Sequence, residues 1–323
     1  MNTPTKIGSY ALGLVAVFGA ALGLGAAVGP LGPASAESAH SNESADAAGH
    51  GDAMKEGGES GAADAATDDL PGGLMTSQGG YTMVLADREL PAGAATPTDF
   101  RILGPDEQAL TTYDESHDED LHLIAVRRDM SGFQHVHPQL ASDGTWSTPL
   151  TLTPGDWRLF ADFDPAGPDA AVTLGTDLFV AGDYDPQSLP EPATTAEVDG
   201  YTVTLDGALL PGLESELTLS ISRDGQVVTD LQPYLAAYGH LVALRDGDLA
   251  YLHVHPGGEP GDGRTDPGPD ITFYASIPSA GDYRLFLDFK HDGVVRTAEF
   301  TATAGDPLEE PTADHGDDPH GHN

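Results

Sequence analysis

The chain has no cysteine among its 323 residues, which excludes a disulfide framework, a thiolate site and a Cys-ligated zinc cluster. It is also poor in positive charge: 13 Lys and Arg stand against 52 Asp and Glu, a formal net charge of −39. So acidic a chain repels nucleic acid and anionic lipid and concentrates counter-cations, so nucleic acid is excluded as a partner and metal ions are favoured. Helical periodicity is missing apart from a turn-like "LQPYLAAYG" from Leu231. No HExxH, GxSxG or phosphate-binding loop occurs, and no enzymatic activity is expected. Glycine (40) and proline (25) are plentiful, which implies many turns and few long helices.

Both ends stand apart from the middle. After Lys6 no charged residue appears until Glu37. Ile7 to Gly29 is a mostly apolar run closed by Pro30 and Pro33, and Ala34-Ser35-Ala36 fits a small-residue cleavage site. Residues 1–36 therefore read as a signal peptide or as a membrane anchor through residues 7–29, a run long enough to span a bilayer. Either puts the remainder outside the cytoplasm, secreted or on the outer face of the cell membrane. Residues 37–73 are small and acidic with almost no large apolar side chains, the composition of a disordered stalk. Residues 306–323 read as a disordered tail carrying His315, His320 and His322, solvated rather than built into a site.

Between the ends the chain repeats itself. "GYTMVLADRELP" from Gly80 aligns without a gap with "GYTVTLDGALLP" from Gly200, and "GDWRLFADF" from Gly155 matches "GDYRLFLDF" from Gly281. Between these blocks "HLIAVRRDMSGFQHVHP" from His122 matches "HLVALRDGDLAYLHVHP" from His240, and an insertion around "GGEPGDGRTDPGPD" follows only the second. Three blocks in one order establish a duplication, with repeats at 74–185 and 196–305. Their short runs of β-branched and aromatic residues, set off by Gly, Pro and Asp, predict an all-β fold: two tandem immunoglobulin-like antiparallel β-sandwiches of about seven strands each.

The repeated histidines follow from hairpin geometry. If Gly247-Asp248 is a two-residue turn, His240 lies opposite His255 and Val242 opposite His253. In the first repeat the same logic puts His122 opposite His137 and Ile124 opposite His135. Facing residues of an antiparallel pair point to one side and alternate side chains share a face, so three imidazoles converge in each repeat. Clustered neutral imidazoles suit Zn, Cu or Ni, and two sites are expected, His122–His135–His137 and His240–His253–His255. Strand alternation places Trp157, Leu159, Ala161 and Phe163 on one face and Arg158, Phe160 and Asp162 on the other, with Asp288 the counterpart of Asp162. Each aspartate is a candidate ligand, an acceptor for a ligating histidine, or the partner of a plain Arg158–Asp162 or Arg284–Asp288 pair. The extra acids of "YDESHDED", with His117, have no partner in the second repeat and read as a solvated loop, a cation site being the lesser alternative.

These histidine strings, with the N-terminal "TKIGSYALGLVAVFGAALGLGAAVGP", resemble a group of actinobacterial exported proteins associated with heavy-metal handling. The resemblance implies copper, with zinc the alternative, and a scavenger, buffer or carrier. The architecture is also similar to small periplasmic copper carriers built on an immunoglobulin-like sandwich, although their N-terminal ligands have no obvious equivalent here. The other class compatible with the sequence is a cell-surface adhesion or interaction module with purely structural histidines.

Overall fold

The computed structural model describes residues 70–167, 170–252 and 254–305. The hydrophobic N-terminal segment, nearly all of the expected stalk, His253 and the C-terminal tail lie outside the described residues. Among the described residues no helix is long and apolar enough to cross a membrane.

The first repeat forms β1 (Ser77–Gln78), β2 (Tyr81–Leu85), β3 (Glu89–Leu90), β4 (Gly93–Leu103), β5 (Tyr113–Asp114), β6 (Leu121–Arg127), β7 (Gln134–Val136), β8 (Gln139–Leu140), β9 (Thr145–Leu152), β10 (Gly155–Pro165) and β11 (Val172–Val180). The second forms β12 (Thr195–Val198), β13 (Tyr201–Asp206), β14 (Glu214–Arg223), β15 (Gln226–Val227), β16 (Gly239–Arg245), β17 (Val254–Pro256), β18 (Asp270–Ser276), β19 (Gly281–His291) and β20 (Val294–Ala304). In the first sandwich the sheet β1-β2-β4-β9-β8 packs on β3-β11-β10-β6-β7, with β5 added to β10. In the second, β12-β13-β14-β18-β17, with β15 on β14, packs on β16-β19-β20. These are tandem immunoglobulin-like sandwiches, antiparallel throughout except where β3 runs parallel to β11.

Alternation builds each core. Trp157, Leu159, Ala161 and Phe163 of β10 face inward with Trp146 and Phe100, and Tyr283, Leu285, Leu287 and Phe289 of β19 do the same with Phe273 and Phe300. β6 departs from alternation because all seven of its residues are buried. Its even-numbered face, Ile124 and Val126, packs on Val242 and Leu244 of β16 in a third apolar cluster that joins the two sandwiches. The junction is reciprocal. Phe133 of the first repeat stacks on Phe286 of the second at 4.0 Å, and their repeat counterparts Tyr251 and Phe160 lie 5.7 Å apart.

A short strap crosses the junction. The Tyr251 amide donates to Gly72 O (3.0 Å), Gly73 to Thr173 O (2.8 Å) and Gly175 to Met75 O (2.8 Å). The Arg158 guanidinium donates to Gly73 O at 2.6 Å. Gly72 and Gly73, which composition placed in the stalk, are thus held by backbone pairing.

The two hairpins differ in a way that matters for the site. In the first, Ile124 pairs with His135, Leu123 with Val136 and Ala125 with Gln134, the expected register. In the second, the turn is a four-residue loop, with Arg245 donating to Ala250 O at 3.0 Å, rather than a two-residue Gly247-Asp248 turn. The register is preserved at Leu244 and Tyr251, but it ends at Leu252. The chain then crosses to the other sheet, where β17 pairs Val254 with Ala275 and His255 with Tyr274. His255 therefore does not face His240. The first repeat crosses only after His137-Pro138, when β8 joins β9. The insertion unique to the second repeat lets β17 continue along β18, its Gly257 amide donating to Thr272 O at 2.7 Å.

Candidate metal centre

His122 sits on the β6 face turned away from its own core, and β7 carries His135 onto the same face. One ring nitrogen each from His122, His135 and His137 lies within 4.8 Å of the other two. His122 is 3% exposed.

The first two rings are tied from behind. His122 Nε2 lies 3.0 Å from Ser116 O, which accepts only, so this nitrogen carries the proton and donates. His135 Nδ1 likewise donates to Asp288 Oδ2 at 2.9 Å. His137 Nδ1 faces Glu119 Oε1 at 3.5 Å. A neutral imidazole has one N–H and one lone pair, and these tautomers are assigned from the surrounding acceptors. The remaining nitrogens are then bare. His122 Nδ1 and His135 Nε2 face each other at 3.1 Å, and His137 Nε2 is buried with no hydrogen-bond partner. Two lone pairs at that distance repel unless a proton or a cation lies between them. Nitrogens each about 2 Å from a tetrahedral metal stand about 3.3 Å apart, close to the observed spacing.

Asp288 comes from the second sandwich, where it pairs across β16–β19 with His240. Its other oxygen accepts from Thr297 Oγ1 at 2.5 Å. His240 reaches the same cluster, its ring centroid 4.8 Å from His135 and 5.4 Å from His122. The exposed His117 lies 5.4 Å from His240 and 6.0 Å from His122.

Burial favours the neutral form of His122, His137 and His240. Burial pushes His122 down to about 3, against a weaker upward pull from Ser116 O and helped by neighbouring histidines. Burial, then His135, pushes His137 down to about 4. His240 is driven well below the ordinary histidine range, again chiefly by burial. Tyr234, 6.3 Å from His137, is pushed up to about 12 by burial. Neutral imidazoles bind a cation without first releasing a proton.

Of the candidate residues, the structure brings together His122, His135, His137, His240 and Asp288 in one composite cluster at the junction. Asp162 pairs across β10–β6 with His122 and accepts from Thr173 Oγ1 at 2.8 Å. His255 is exposed on β17 and is not one of the three grouped ligands, and His253 lies outside the described residues. The anticipated Arg–Asp pairs take other partners, Arg158 with Asp177 and Arg284 with Glu299. Sequence reasoning set His117 aside mainly as part of a solvated loop and gave Ser116 no role, and the loop before β6 delivers both. Left-handed backbone at His117 (φ 51°) and Asp118 (φ 66°) folds this loop back, and Asp118 accepts from the Ala236 amide of the second sandwich at 2.9 Å.

Fold and site together define a duplicated all-β protein with a histidine cluster where its halves meet. The chain belongs to the family described as "Domain of unknown function (DUF8832)", whose model matches twice, over residues 76–177 and 196–306. No curated protein matches it. Among solved structures it is similar to FdeC, an Escherichia coli adhesin, with 14% identity over 71% of this chain and 65% of that one and a TM-score of 0.22. It is similar to a Salmonella α2-macroglobulin with 12% identity over 74% and 15% and a TM-score of 0.23. The bacterial integrin-binding protein invasin gives 11%, 72% and 41%, with a TM-score of 0.21. The chain spans less than two thirds of each of these proteins, and likenesses at such scores carry no argument about function.

Proposed function

We propose that the protein binds a divalent transition-metal ion outside the cytoplasm, acting as a scavenger, buffer or carrier rather than as an enzyme. The observation that supports this is the convergence of one ring nitrogen each from His122, His135 and His137, with the first two rings hydrogen-bonded from behind and the third facing Glu119 at 3.5 Å. Outward N–H groups held by carboxylates or carbonyls orient ligating histidines and raise their basicity. Imidazole donors without a thiolate or thioether suit Cu(II) or Zn(II) better than Cu(I). Copper is favoured and zinc is the alternative. All three donors come from the first repeat, and the second supplies Asp288 behind one of them, so one tight ion per chain is expected instead of one per repeat. The extracytoplasmic location is taken from the apolar N-terminus followed by Ala34-Ser35-Ala36.

A second reading is an adhesion or interaction module in which the His135–Asp288 bond merely joins two sandwiches. Calorimetric titration of the full chain and of His137→Ala with Cu(II) and Zn(II) separates the two. Histidines in the terminal segments contribute equally to both proteins. Loss of one tight equivalent in the variant supports the metal reading, and identical isotherms reject it in favour of the module.

A further inference from the structure

Beside the triad lies a cavity of about 240 Å³ whose walls include His117, Glu119, His122, Asp162, His240 and His255. The repeat relates these walls to the triad: His240 and His255 are the counterparts of His122 and His137, and Asp162 that of Asp288. The early crossing of β17 has kept His255 from closing on His240 as His137 closes on His122. The second repeat's members of the set therefore line a space instead of collapsing into a cluster. His117, from a loop whose second-repeat equivalent carries Leu235 at that position, lies across it from His240 with ring centroids 5.4 Å apart. His240 is largely buried and has no hydrogen-bond partner among the described residues.

We propose that this cavity is a second cation site, taking a partly hydrated divalent transition-metal ion through His117, His240, His255 and Asp162, and that it loads the triad. The loading role rests on the metal-binding reading above. Among the described residues only the triad brings three ligand atoms within 4.8 Å, so an ion in the cavity keeps part of its water and is held more weakly. His122 belongs to both walls, and Glu119 lines the cavity while facing His137 at 3.5 Å. The cavity and the triad thus share His122 as a common wall, with Glu119 beside both. A buried site of low-pKa histidines needs an access route, and the chain's net charge of −39 supplies the attraction that fills it.

The test is Cu(II) titration by calorimetry and stopped-flow mixing of the full chain, His255→Ala and His137→Ala. His255 is exposed, so its removal leaves the cores intact. His117→Ala, in the loop, serves as a second cavity variant. The expected result is that either cavity variant loses one weaker equivalent and fills the tight site several-fold more slowly, with final tight affinity unchanged. His137→Ala should weaken the tight equivalent by about 10–100-fold and keep the weaker one. Cavity variants that match wild type in stoichiometry and loading rate overturn the second site whatever the triad does. An unchanged tight equivalent in His137→Ala overturns the triad reading, while the cavity comparison still stands or falls on its own. A full chain that takes up no Cu(II) beyond the terminal histidines rejects both.

Discussion

His135 of the first sandwich donates through Nδ1 to Asp288 Oδ2 of the second at 2.9 Å, with the two side chains 1% and 4% exposed. One bond therefore both orients a proposed ligand and joins the two sandwiches. Asp288→Ala leaves the His135 N–H and Thr297 hydroxyl without their acceptor. It is expected to lower unfolding free energy by about 2–4 kcal/mol and metal affinity by about 10–100-fold. Urea denaturation of the metal-free protein and Cu(II) titration measure the two effects separately.

The depressed histidines set the acid limb of stability. In the unfolded chain His122 and His137 titrate near the ordinary value of about 6.5, whereas in the fold they sit near about 3 and about 4. Between those values the unfolded chain binds more protons, so stability is full above about pH 6.5 and falls as pH drops toward 4. At about 1.4 kcal/mol per pKa unit the loss is on the order of several kcal/mol. Urea midpoints of the metal-free protein from pH 7 to 4 should decline, and His137→Ala should flatten the decline. A curve independent of pH over this range rejects the neutral-imidazole account.

Metal should stabilise by mass action. With free Zn(II) at about 1,000 times its dissociation constant, the gain is about 4 kcal/mol. Thermal melts of the full chain should shift upward with Zn(II) at pH 7, while His137→Ala should shift much less. Chelation with EDTA should reverse the shift.

The junction is energetically substantial. Phe286 is fully buried and stacks on Phe133 at 4.0 Å. Phe286→Ala should cost about 3–5 kcal/mol through lost transfer energy and the cavity left behind. Because Asp288 lies two residues further along the same strand, tight metal binding should weaken as well. Binding fully retained at reduced stability would show that the triad does not depend on the second sandwich.

Gly175 tests the strap. A Cβ there would meet Gly73 O at 1.9 Å, and the obstruction is backbone, which cannot rotate away. Gly175→Ala should expel Leu70–Met75 from its pairing and expose that segment to proteolysis. Limited digestion with N-terminal sequencing detects it.

The sequence by itself determined the duplication, the all-β alternation and the register of the first hairpin. All three are local: side-chain alternation has a period of two, and a hairpin fixes its partners by the position of its turn. His122 and His135 could therefore be placed on one face from spacing alone. Only the tertiary structure decided that the second hairpin stops at Leu252. After that residue the strand chooses between β16 and β18, and its own alternation is equally satisfied by either edge. The choice rests on the inserted segment that prolongs pairing with β18, a non-local contact. Tertiary packing also decided that Asp288 supports a histidine of the other repeat, and that His117 reaches the cluster from its acidic loop. A sandwich face left apolar by Ile124, Val126, Val242 and Leu244 must be covered. The face that covers it brings its own histidine and carboxylate along, so His240 and Asp288 of the second repeat meet the first repeat's histidines in one cluster.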